Sequence, residues 1–220
     1  MPAQVLAARI DALLDGELSP LGFEKVQPRR WVESKHPPLR KLFEFQAFKG
    51  ESYSARWGFA LDFVPVLRGE KLRWKHTAKT TTFDLCIDPI DTGRDHRDWP
   101  RLSRSIWPAK TYDWDNVTRT VRNAAKAARP DFNRVSSIAD IPTIFRERST
   151  MKFTRFSPEN YIQTHIAWGL CLIATGKPDE GESHLQIYCA QFEIDRDDRI
   201  LRQAEQEALR AMRPTHYVQR

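Results

Sequence analysis

Apolar residues recur at Leu6, Ile10, Leu13 and Leu14, one stripe on a helix that opens the chain, with Gly16 offered as its C-terminal stop. The period then changes. Four runs rich in β-branched and aromatic residues, 23–32, 41–48, 55–67 and 72–87, are separated by turn material at Lys35-His36-Pro37-Pro38, Lys49-Gly50-Glu51-Ser52 and Arg68-Gly69-Glu70. In the third run Trp57, Phe59, Leu61 and Phe63 alternate with Gly58, Ala60, Asp62 and Val64, which directs the large side chains to one face. Short connections require antiparallel pairing. The pattern therefore predicts an α+β fold with the first helix packed on an antiparallel meander of about four strands.

A Pro- and charge-rich connector, 88–108, follows, with Trp99 and Trp107 as anchors. Asp113 or Asp115 can cap a further helix with the stripe Val117, Val121, Ala124, Ala125 and Ala128, ending before Pro130. A linker over 131–142 divides the chain into an α+β sheet domain, 1–135, and a helical extension, 136–220, packed on it as one compact unit. In the extension Tyr161, His165, Trp168 and Leu172 share a helix face, and Gly176-Lys177-Pro178-Asp179 turns the chain into a second helix carrying Leu185, Tyr188, Cys189 and Phe192. Such a short turn makes the two helices antiparallel neighbours. This hairpin is similar to a single tetratricopeptide-like unit, with Ala167, Gly169 and Ala174 where helices approach closely; no second copy recurs at a fixed period. A terminal helix runs from about Asp197 to Met212 with Leu201, Ala204, Ala208 and Met212 on its core side.

Composition narrows the class. The chain has 220 residues, 40% of them hydrophobic, and seven Trp, enough to bury a core despite a mean hydropathy of −0.59. The N-terminus lacks the basic and apolar regions of a signal peptide, and no apolar run approaches a membrane span, so the expected location is the cytosol. Three cysteines, Cys86, Cys171 and Cys189, are too few and too scattered for a disulfide framework or a zinc site. The net charge of +6 is uneven: cations dominate from Arg68 to Arg134, and carboxylates dominate from Asp179 to Glu207. Such asymmetry steers an anionic partner or a second copy to one face, or it marks no more than two solvated faces.

Leu21-Gly22-Phe23 after the first helix, Arg30-Trp31, Phe45-Gln46, Tyr53 and Trp57-Gly58 carry a resemblance to the bacterial family known as domain of unknown function 4304. It covers roughly residues 5–135. The resemblance implies an α+β domain of the bacterial cytosol and implies no activity.

Candidate chemistry is sparse. None of the six histidines pairs at i, i+4 with another His or Cys, and His165 beside Trp168 reads as a hydrogen-bonded core residue. Asp84 and Asp88 flank Cys86, with Asp91, Asp95 and Asp98 following, and carboxylates near a strand end can hold Mg²⁺ for phosphoester hydrolysis. The matching acid-x-Lys triplet is missing, because Glu44-Phe45-Gln46 ends in Gln. Cys86 as nucleophile lacks any visible base, and no phosphate-binding glycine loop is present. No cofactor is implied. The strongest patch is basic: Lys71, Arg73, Lys75 and Lys79, with Arg29, Arg30 and Trp31 near enough to add charge and stacking. A row of cations on a strand also serves as edge protection. The leading expectation is a non-enzymatic protein-interaction or accessory module with a protein partner or a second copy; nucleic-acid binding through the basic strand and metal-dependent hydrolysis are the alternatives.

Overall fold

The computed structural model describes residues 2–48, 52–74, 77–87, 101–102, 114–151 and 164–212. Asp88, Asp91, Asp95, Asp98, Asp113, Tyr161, the anchors Trp99 and Trp107, and Lys75 of the basic strand lie outside them. The fold is α+β, as the pattern predicts. Helix α1 (Pro2–Leu18) buries Leu6, Ile10, Leu14 and Leu18 completely, one residue per turn. It passes through Gly16, and the turn that ends it is Ser19–Leu21 followed by Gly22 at φ 87°.

The predicted first strand is in fact a hairpin. Strands β1 (Glu24–Gln27) and β2 (Arg30–His36) are separated by a tight turn with Arg29 at φ 60°, and the Arg29 N–H donates to Asp11 Oδ1 of α1 at 2.9 Å. Pro28 supplies the break. Strands β3 (Leu39–Phe48) and β4 (Ser52–Leu61) form the longest antiparallel pair. Next come β5 (Val66–Arg68), β6 (Lys71–Arg73), β7 (Leu85–Ile87) and β8 (Arg101–Leu102). The sheet order is β1-β2-β3-β4-β7, with β8 paired further along β4, whereas β5 and β6 form a ribbon of their own. The described part of the run 72–87 is thus two strands, β6 and β7, with a non-strand crossing segment over 77–84, not one strand.

One face of the sheet carries Trp31, Phe43 and Trp57 in a single register row under α1 and α2 (Trp114–Arg134). Both indoles are tied to the helices above: Trp31 Nε1 donates to Asp15 and Trp57 Nε1 to Asp131, each at 2.7 Å. Helix α2 does not stop at Pro130. The carbonyl that Pro130 leaves without its helical N–H belongs to Lys126, an exposed residue on the solvent side of the helix. Beyond it, Phe132 is buried against Phe23 and Phe59, and Lys41 Nζ donates to the Phe132 carbonyl at 2.9 Å. Tertiary contacts therefore outweigh the local preference of proline.

The expected linker, 131–142, holds the end of α2 and a 3₁₀ turn (Ile138–Asp140) closed by a capping box of Ser137 and Asp140, which leads directly into helix α3 (Ile141–Ser149). Helices α4 (Thr164–Ala174) and α5 (Pro178–Phe192) form the predicted hairpin, and α6 (Arg199–Met212) packs on α4. Met212 is 47% exposed and so falls off the expected core side of α6. One hydrophobic cluster runs from Leu6 to Ala208 and joins the sheet to all six helices. No helix among the described residues is long and apolar enough to cross a membrane.

Candidate functional site

The basic patch is divided between two places. Lys71 and Arg73 are exposed on either side of buried Leu72, the alternation that the strand pattern requires, but they stand on the β5–β6 ribbon. Arg29 and Arg30 belong to the β1–β2 hairpin of the main sheet. Lys79 lies in the crossing segment, where its carbonyl accepts from Gln27 Nε2 at 2.9 Å, and Gln27 is the register partner of Arg30. Trp31 corrects the reading most plainly. It is fully buried and its N–H is bound to Asp15, so it offers no face for a base to stack on.

On the sheet face away from α1 and α2, the register brings together three charged residues whose association was not visible in the sequence. Arg30 pairs with Glu44 across β2–β3, and Glu44 pairs with Arg56 across β3–β4. Glu44 Oε2 accepts from Arg56 Nε at 3.3 Å and Arg56 Nη2 at 3.0 Å, and lies 3.5 Å from Arg30 Nη2. The Arg56 guanidinium lies over the Phe83 ring, 5.2 Å from its centre. Phe83 and Ala78 also cover the small apolar cluster Val32, Leu42 and Ala60 on the same face.

A groove of about 640 Å³ opens between the sheet half and the helical half. Its apolar wall is Leu39, Phe63, Trp74, Ile138 and Ala211. Its rim holds His36, Asp62, Gln203, Glu207 and Arg210. Asp62 is ion-paired to Arg40, and Glu207 accepts from Arg210 Nη1 at 2.6 Å. The rim carboxylates are therefore neutralised in place. The groove is built from the β2–β3 turn, the ends of β4 and β6, the start of the α3 cap and one face of α6, five separate stretches of chain that no local motif announces.

The acidic C-terminal stretch carries ion pairs of its own. Arg196 bridges Glu182 of α5 and Glu205 of α6, and Arg202 pairs with Asp197 and Glu205. Both carboxylates of the Arg196 bridge belong to the fold's own ion pairs, yet nine carboxylates against three arginines from Asp179 to Glu207 leave the charge contrast read along the chain in place.

The remaining candidates are structural. Asp84 is 7% exposed, and its Oδ2 accepts the Leu61 N–H at 2.8 Å, so this carboxylate holds β4 to the crossing segment. Asp88, its proposed partner, lies outside the described residues. All three cysteines are buried, and burial raises the Cys171 and Cys189 thiols, the reverse of an activated nucleophile. Among the described residues no group of three or more His, Cys, Asp or Glu is placed to hold a metal.

His165 does have a hydrogen-bond partner, and it is another histidine. His165 Nδ1 and His184 Nδ1 are 2.9 Å apart, with ring centres separated by 5.1 Å. The centre separation exceeds the nitrogen separation by about two ring radii, so the nitrogens meet head-on and share one proton. Trp168 stacks on His184 at 4.1 Å. Burial lowers the pKa of both rings; for His184 the neighbouring His165 lowers it further, while Glu180 one turn away raises it. In the unfolded chain each His takes up its proton near pH 6.5, before the folded pair does. The pair's contribution to stability is thus complete above that pH and is lost as the pH falls below it. A thermal melt series should show stability falling from pH 7 to pH 5, and His184→Gln should flatten that fall; an unchanged slope in the variant would contradict the assignment.

Family models, curated proteins and solved structures were each compared with the chain, and none matches it.

Proposed function

We propose that this chain is a non-enzymatic protein-interaction module of the bacterial cytosol that takes an apolar segment of a partner protein into the groove between its sheet and its helical end. The observation that carries this reading is the groove itself, an apolar and aromatic wall of Leu39, Phe63, Trp74, Ile138 and Ala211 under a rim whose carboxylates are already paired. A charged ligand gains little there, because a rim ion pair must be broken to receive it. An uncharged aliphatic or aromatic side chain gains the full benefit of leaving water, with an aromatic anchor such as Trp74 the kind of residue that dominates interface energies. The catalytic alternative has little support, since Asp84 and the buried thiols are engaged in the fold.

A photo-cross-linking residue at Gln203, exposed on the α6 rim, should capture a partner that the same residue at exposed Arg119 on α2 does not. The captured protein should then bind Trp74→Ala at least about tenfold more weakly than the parent chain. Equal capture from both positions, or equal affinity of the Trp74 variant, would contradict the proposal. A second reading, nucleic-acid contact through the ribbon, draws on the exposure of Lys71 and Arg73. It requires salt-sensitive retention on DNA that Lys71→Glu with Arg73→Glu abolishes.

A further inference from the structure

The row Arg30–Glu44–Arg56 is unbalanced: two guanidiniums share one carboxylate oxygen. The imbalance falls mainly on Arg30. Its side chain is only 14% exposed, Nε is buried with no hydrogen-bond partner, and its one ion-pair contact among the described residues is the 3.5 Å approach to Glu44. Glu44 is already occupied by Arg56, through both Nε and Nη2. A guanidinium withdrawn from water with a donor unused is costly, and an anion that accepts from it offsets that cost. The Arg56 head is braced by the Phe83 ring, and the largely buried Arg30 side chain rises from β2 next to the β1–β2 turn.

We infer that Arg30 and Arg56 form a binding site for an oxyanion of the phosphate class on the sheet face away from α1 and α2. The two arginines rise from β2 and β4, the strands on either side of β3, so their forks approach a ligand above Glu44 from opposite sides. A tetrahedral oxyanion presents separate oxygens toward both forks at once, whereas Glu44 meets both through a single oxygen, which accepts twice from Arg56 and lies 3.5 Å from Arg30 Nη2. Glu44 acts as the competitor: its carboxylate occupies the donors until the anion takes them. The site uses none of the groove residues and stands or falls independently of the groove.

The test uses inorganic phosphate as probe, titrated calorimetrically into the full chain at an ionic strength held constant with chloride. Phosphate should bind the parent chain, and Arg30→Met and Arg56→Met should each weaken binding by at least about tenfold. Glu44→Gln should strengthen it by about threefold or more, because the competing charge is gone. That last variant keeps the proposal testable should an arginine variant fail to fold. A single-stranded oligonucleotide distinguishes the source of the phosphate group. Binding of the oligonucleotide that is lost in Arg30→Met assigns the site to a nucleic-acid backbone; loss of phosphate binding alone assigns it to a free or small-molecule phosphate. Absence of phosphate binding by the parent chain, equal binding by Arg30→Met, or weaker binding by a folded Glu44→Gln would each overturn the inference.

Discussion

Replacing Gly58 with Val should detach β7 from the sheet and lower stability by about 3 kcal/mol or more, a fall of about 10 °C in Tm for a chain of this size. Gly58 lies in β4 opposite Leu42 on one side and Cys86 on the other. A Cβ at this position would stand 2.0 Å from the Leu85 carbonyl oxygen and 3.0 Å from Cys86 Cα. Both obstacles are backbone, so no rotamer change relieves them, and the strand must move. Its movement would carry Asp84 away from the Leu61 N–H and Phe83 away from Arg56. A thermal melt gives the size of the loss, and amide exchange locates it; faster exchange at 84–87, with the β2–β3 pairs still protected, is the expected pattern. A variant as stable as the parent would contradict the register of β4 and β7.

The second large effect is expected in the helical half. Gly169 and Gly181 are the point of closest approach of α4 and α5: a Cβ on Gly181 would lie 2.6 Å from the Gly169 carbonyl oxygen and 2.7 Å from Ile173 Cγ1. Gly181→Val should push the two helices apart, expose Leu185 and Leu170, and cost about 3 kcal/mol or more. One hydrophobic cluster joins this hairpin to the sheet, so the whole chain should unfold at the lower temperature in a single transition. Two separated transitions, with the sheet melting at the parent temperature, would show that the cluster does not couple the halves.

What the sequence disclosed and what it concealed follow from the range of the interactions. The stripe Leu6, Ile10, Leu14, the alternation of Trp57, Phe59 and Leu61, and the glycine-marked hairpin of α4 and α5 are local patterns, and all three were legible. The 3₁₀ turn that leads into α3 left a local sign too, Ser137 and Asp140 at capping-box spacing, but it sat in a segment read as linker. Pro130 misled for the opposite reason. Its local effect is real, and burial of Phe132 three-dimensionally outweighs it. The features of the candidate sites are non-local. Arg30, Glu44 and Arg56 converge only once strand register is known. His165 and His184 meet across two helices. Trp31, read as a stacking surface, is an alternate-position residue whose face is decided by the core it enters.

Whether the groove beside Trp74 takes an apolar segment of a partner protein, as proposed, is decided by the affinity of the captured partner for a chain with the groove filled, Gln203→Trp, beside the parent chain. The substitution sits on an exposed position of α6 and leaves the core untouched. Loss of at least about tenfold in affinity with an unchanged melting temperature is the predicted result; binding as tight as that of the parent chain would contradict it.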